Sequence, residues 1–151
     1  MKDHWIVVLL IMIGAALFAP AVSAQIVEEK EGYVVSTADD IAKGDQLARI
    51  SSLVSSSISQ GQLHSYSRYV YSGTTSIISD LNWGDTADSL SLTLVAPDIT
   101  LGPYYDSADG WTDGRIYLSV SKSSGLPQGT WWNRVYGSQV TGSQDYTFES
   151  F

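Results

Sequence analysis

The sequence predicts an all-β fold, an antiparallel β-sandwich, on three observations. From about residue 53 onward apolar and polar residues alternate with period two, and clusters of Gly, Pro, Asn and Asp interrupt them at regular intervals. Charged residues make up only 16% of the chain, so its polarity comes from Ser, Thr, Gln and Gly, which suit strands and turns better than solvent-facing helices. The alternating stretch also holds roughly six to eight strands, enough for two packed sheets.

The chain opens with Lys2 and an apolar run from Trp5 to Phe18, broken only by Gly14 and followed by Pro20, Ala21, Ser23 and Ala24. That is the three-part layout of a secretory signal peptide, with cleavage expected after Ala24. An uncleaved anchor is the alternative, because the run falls just short of the ~17 residues that span a bilayer. Residues 1–24 are therefore read as a leader, residues 25–52 as a linker or loosely attached segment, and residues 53–151 as one domain. The linker reading rests on irregular patterning and on two acidic clusters, Glu28, Glu29, Glu31 and Asp39, Asp40, Asp45. Leu47, Ile50, Leu53 and Val54 recur at helical spacing there, but the serines after Ile50 oppose a helix.

Within the domain, Tyr66, Arg68 and Val70 share one face of a strand that begins near Leu63. Thr75, Ile77, Ser79 and Leu81 share one face of the next, with Ile78 and Asp80 on the other; which face meets the core is open. Residues 82–88 gather turn formers and read as a loop. Leu90, Leu92 and Leu94 then alternate with polar or smaller neighbours and are expected to face the core. Residues 101–114, rich in Gly and Asp, read as a second loop, before Ile116, Leu118 and Val120 mark another strand. A turn over residues 121–129 follows. Trp131, Asn133 and Val135 oppose Trp132, Arg134 and Tyr136, so one tryptophan is expected in the core and its neighbour outside. Residues 137–145 read as a polar hairpin loop before the last strand, which carries Tyr146 and Phe148.

Composition excludes several function classes. The chain has no cysteine, which removes disulfides, zinc-thiolate sites, iron–sulfur clusters and cysteine nucleophiles. A net charge of −8 with scattered basic residues argues against a nucleic-acid partner.

The run Gly129-Thr130-Trp131-Trp132-Asn133-Arg134-Val135-Tyr136-Gly137, followed by Asp145-Tyr146-Thr147-Phe148, resembles the closing signature of the bacterial and archaeal pre-peptidase C-terminal domain. Residues 61–70 resemble that family's opening strand, and residues 80–83 and 89–98 its central strands and turn. The stretches Asn82-Trp83-Gly84-Asp85-Thr86 and Gly102-Pro103-Tyr104-Tyr105-Asp106 look more specifically like versions from exported proteins of methanogenic archaea. The resemblance covers roughly residues 53–151. It implies a jelly-roll-like sandwich that accompanies secreted hydrolases or cell-surface proteins and is not itself the hydrolase. One departure is that Ser89-Leu90-Ser91-Leu92 stands where the family often has strand aspartates, so strand carboxylates that could bind calcium are missing.

The residues themselves offer little catalytic chemistry. His64 is the only histidine after the leader, and no serine sits in a Gly-x-Ser-x-Gly elbow. Paired carboxylates of a glycosidase would need to lie about 5 to 9 Å apart across a cleft, whereas the acidic residues fall mostly in turns. Asp106, Asp109 and Asp113, with Gly110 and Gly114 and the earlier Asp85 and Asp88, form the candidate metal group, since calcium takes six to eight oxygens. Their spacing is not that of an EF-hand, and plain Asp-Gly turns explain them as well. The candidate binding surface is aromatic: Trp83, Tyr104, Tyr105, Trp111 and Trp132 could stack on sugar rings or anchor a protein. Asn82 and Asn133 are the only asparagines, and neither begins a glycosylation sequon.

The expectation is thus an extracellular or cell-surface module without catalytic residues, whose partner is a surface protein or polysaccharide met by loops and strand edges. A structural subunit of a surface assembly and an unrecognised hydrolase are the alternatives.

Overall fold

The computed structural model describes residues 24–38 and 53–151; the expected leader up to residue 23 and the remainder of the expected linker, residues 39–52, lie outside them. The described residues form ten strands in two antiparallel sheets that pack face to face. They are β1 (Ile26–Lys30), β2 (Tyr33–Thr37), β3 (Val54–Ser59), β4 (Leu63–Val70), β5 (Ser76–Asn82), β6 (Ser89–Val95), β7 (Thr100–Tyr104), β8 (Arg115–Lys122), β9 (Gly129–Gln139) and β10 (Ser143–Ser150). One sheet has the order β1-β2-β8-β5-β10-β3 and the other β4-β9-β6-β7. One 3-10 turn, Asp106–Asp109, is the helical element among the described residues.

The period-two pattern is what builds this sandwich, because successive side chains of a strand point to opposite faces. Leu90, Leu92 and Leu94 are buried, as are Ile116, Leu118 and Val120. The open choice on β5 resolves toward Ile77, Ser79 and Leu81, which register against Val120, Leu118 and Ile116 on β8. Trp131 is buried and donates its Nε1–H to the Pro127 carbonyl at 3.1 Å, while Trp132 is exposed. In the middle of the core, Ser79 of the six-stranded sheet donates a hydrogen bond of 2.9 Å to Asn133 Oδ1 of the other sheet, so each buried polar group satisfies its partner.

Three sequence expectations need correction. Residues 26–37 are not a linker but a hairpin: β2 pairs with β8 from Tyr33↔Lys122 to Thr37↔Leu118, and Tyr33 and Val35 are buried. Its two-residue turn, Glu31-Gly32, has both residues at positive φ (51° and 81°), the backbone that the twist of a tight hairpin demands. Residues 101–114 are not wholly loop, since β7 occupies Thr100–Tyr104 and buries Leu101 and Tyr104. The last hairpin loop shrinks to residues 140–142, because β9 runs on to Gln139 and β10 starts at Ser143.

Side chains clamp the sheets together at one side of the sandwich. Tyr33 donates its hydroxyl to Asp98 Oδ1 at 2.6 Å, and Lys122 Nζ lies 3.4 Å from Asp98 Oδ2 and 4.0 Å from the Tyr33 ring centroid. The Tyr33 hydrogen bond, then the Lys122 charge, hold the Asp98 carboxyl below the ordinary aspartate range.

Two predictions follow from this packing. A Cβ at Gly137 would lie 2.4 Å from the Ser59 carbonyl oxygen, where Gly137 straps the β3–β4 turn through hydrogen bonds with Gly61 and Gln62. Gly137→Ala is therefore expected to destabilise the fold by about 1–3 kcal/mol in urea unfolding. Because the Asp98 carboxyl titrates lower in the folded chain, its contribution to stability is present above the unfolded aspartate value of about 3.9 and disappears as pH falls through the folded value. The difference in urea midpoint between wild type and Asp98→Asn should be clear at pH 6 and vanish near pH 2.

Candidate functional site

The structure disperses the residues that the sequence nominated. Trp83 is 7% exposed and donates Nε1–H to the Asp88 carbonyl at 3.1 Å, so it fills the core end of the 83–88 loop. Tyr104 is 5% exposed; its hydroxyl donates to Glu28 Oε2, which also accepts the Gly102 N–H at 3.3 Å. Burial first, and the Glu28 carboxylate second, push the Tyr104 phenol far above its ordinary range and keep it a neutral donor. Both side chains are thus largely withdrawn from the surface. Tyr105 and Trp111 are exposed, Trp111 at 73%, and flank the 3-10 turn, whereas Trp132 stands on β9.

The acidic group is explained by backbone capping. Asp106 Oδ1 accepts the N–H groups of Asp113, Gly114 and Arg115 at 3.3, 2.9 and 3.1 Å. Asp109 divides its oxygens between the Trp111 and Tyr117 N–H groups, at 3.2 and 3.1 Å, and so continues the β8 edge where β2 ends. Burial, the largest influence, raises the Asp109 carboxyl above its ordinary range. Asp85 accepts from Ala87 N–H in an Asx turn, and Asp88 accepts from Thr141 N–H. Among the described residues no three His, Asp or Glu side chains are grouped to hold a metal ion.

His64 lies on the inner face of β4. Its Nδ1 is 2.7 Å from the Tyr146 hydroxyl, which also bonds Tyr66. Burial, then the Tyr66 hydroxyl, raises the Tyr146 phenol beyond its ordinary value. A neutral phenol beside the imidazole is a structural link between β4 and β10, and it gives His64 no activated nucleophile to serve.

What the fold does assemble is the outer face of the four-stranded sheet. Register places Leu63 beside Tyr136, Ser65 beside Arg134, Ser67 beside Trp132 and Tyr69 beside Thr130, and all eight side chains are exposed. On the other side of β9, β6 adds Thr93 beside Arg134 and Val95 beside Trp132. Trp132 and Tyr136, four residues apart on one strand, stand about 13 Å from each other. Two rings of β9, with Arg134 between them, thus stand beside hydroxyls of β4 and β6. Around the β4 edge, a cleft of about 580 Å³ is walled by Tyr69, Tyr71 and Trp132, with Tyr66 stacked on Phe148 at 5.0 Å on its inner side. Sequence reasoning found Trp132 but missed Leu63, Tyr69 and Tyr71. The alternation along β4 was the available signal, yet only cross-strand register shows that these side chains form one surface.

Comparison with known protein families gives no match to this chain, and comparison with curated proteins gives none.

The capping geometry predicts that Asp106→Ala, which strips three N–H groups of their acceptor, lowers stability by about 1–3 kcal/mol. Asp113→Ala should stay within about 0.5 kcal/mol of wild type, and thermal melts of the wild type in calcium and in chelator should superimpose.

Proposed function

We propose that this chain is an exported, non-catalytic binding module of the pre-peptidase C-terminal type, and that it takes polysaccharide on the outer face of β4 and β9. One observation carries the reading: Trp132, Tyr136 and Tyr69 stand on a regular sheet face with Ser65, Ser67, Thr93 and Thr130 between them. Planar aromatic faces pack against the C–H face of a sugar ring, and neighbouring hydroxyls meet the ring's own hydroxyls. A sheet face holds such groups at fixed spacing, as a repeating polymer requires, and needs no rearrangement on binding. The resemblance of residues 53–151 to a domain that accompanies secreted hydrolases, and the signal-peptide layout of the first 24 residues, support an extracellular or cell-surface setting. The partner of His64 supports a non-catalytic reading, because the imidazole is engaged by Tyr146.

Affinity electrophoresis through gels containing a panel of surface and plant polysaccharides tests this. At least one polymer should retard the wild type, and Trp132→Ala should weaken that retardation by about tenfold or more, the ~1.4 kcal/mol or greater loss of an interface anchor. Tyr105→Ala, away from this face, should leave it unchanged. Equal retardation of wild type and Trp132→Ala would remove the proposal.

A further inference from the structure

Four strands bound the sheets: β1 and β3 on one, β4 and β7 on the other. An edge strand carries a row of backbone donors and acceptors without a neighbour, and natural folds blunt it with charge, proline, a bulge or a cover. Three of these edges are blunted. β1 shifts register between Ile26 and Glu28 and carries Glu28, Glu29 and Lys30. β7 contains Pro103, which has no N–H, and its Gly102 N–H and Thr100 carbonyl are taken by Glu28 and Lys30. β3 is short, its exposed side chains are serines, and the Gln62 amide oxygen takes its Ser59 N–H.

β4 is the least blunted of the four, its one formal charge being Arg68 on the inner face. Its eight residues pair with β9 one for one, without bulge, proline, glycine or carboxylate. Its outer face carries exposed Leu63 and Tyr69, and Tyr71 continues that face just past the strand, 70% exposed and 5.0 Å from the Tyr69 ring. The chain has 16 acidic against 8 basic residues, so two copies repel each other over most of their surface, but not along this strand.

We infer that β4 is the docking edge for a second copy of this chain, paired antiparallel across a two-fold axis at Ser67, so that two four-stranded sheets become one of eight. Register carries the argument. Residues opposite one another in an antiparallel pair must point to the same face, so a two-fold axis between identical strands has to pass through a residue. At Ser67 the axis sets Leu63 against the partner's Tyr71 and Ser65 against the partner's Tyr69 on the outer face. On the inner face it sets Tyr66 against the partner's Arg68, so no like charges meet there. An axis at Tyr66 would instead set Tyr71 against the partner's Gly61, where no side chain covers it, and one at Arg68 would bring two guanidiniums together. Only the Ser67 register among these covers Leu63, Tyr69 and Tyr71 and opposes no like charges.

The dimer does not depend on the polysaccharide reading: Trp132 and Tyr136 on β9 stay open in it, while Tyr69 lies at the seam between the copies. Because the chain has no cysteine, one introduced thiol reports its own neighbour. Ser67→Cys places two Cβ atoms on the axis about 5 Å apart, whereas Ser65→Cys lies about 13 Å from its copy. The full chain should sediment as a dimer at tens of micromolar. Under mild oxidation Ser67→Cys should form covalent dimer at least tenfold faster than Ser65→Cys, and Ser67→Asp should sediment as a monomer with an unchanged thermal melt. A monomeric wild type, equal cross-linking at both positions, or a dimer that survives Ser67→Asp would each overturn the inference. Retardation by polysaccharide is scored separately, so loss of one property does not imply loss of the other.

Discussion

A sandwich of two flat sheets has two open sides, and how each is closed governs everything else in this molecule. On one side the closure is made by the first hairpin. Glu28 accepts from the Tyr104 hydroxyl and the Gly102 N–H, Lys30 donates to the Thr100 carbonyl at 2.9 Å, and Tyr33 reaches Asp98. These contacts satisfy backbone groups of β7 that its own sheet leaves without a partner, and an unsatisfied buried group costs about as much as a lost hydrogen bond. The hairpin is therefore a strap across both sheets, and β7, with its Gly-Pro sequence, is a strand because the strap holds it.

The opposite side is closed only in part. His64 and Tyr66 project from β4 toward Tyr146 on β10, where three polar side chains share hydrogen bonds beside the Tyr66–Phe148 stack. Beyond them the cleft opens, lined by Val54, Ser65, Tyr66 and Phe148. One face of β4 thus contributes polar links to the interior while the other presents rings to solvent. The asymmetry between the two sides explains why the free edge, the cleft and the aromatic face all coincide at β4 and β9.

Much of the fold was legible in the sequence where burial is one-sided. Leu90, Leu92 and Leu94, or Ile116, Leu118 and Val120, can satisfy period two only by facing a core. The first hairpin was illegible because its signals conflict: acidic residues surround it, and glutamate at Glu31 is an unusual choice for positive φ. β7 was hidden for a related reason, since Gly102 and Pro103 disfavour a strand locally, and pairing with β6 together with contacts to β1, more than 70 residues earlier, overrides them. The aspartates could be placed from the sequence, but the capping contacts they make could not. Calcium ligation and N–H capping draw on the same carboxylate in the same Asp-Gly context, and nothing local distinguishes them. The aromatic candidates divided on parity: Trp83 and Tyr104 turned inward, whereas Trp132 turned outward as alternation required.

That parity is itself fixed from inside the core. A slip of one residue along β9 would send Trp132 inward and Asn133 outward, exchanging every side chain between the two faces. Asn133 resists the slip because its amide oxygen is the buried acceptor for Ser79 on the opposite sheet, and Trp131 resists it because its indole N–H is committed to the Pro127 carbonyl. Leaving either group unpaired in the interior would cost about 1–3 kcal/mol. Because Thr130, Trp132, Arg134 and Tyr136 alternate with these anchors, the surface residues have no freedom to choose their face. The aromatic outer face is the consequence of two hydrogen bonds at the centre of the sandwich, and a sequence could vary its outward rings widely without losing the register that displays them.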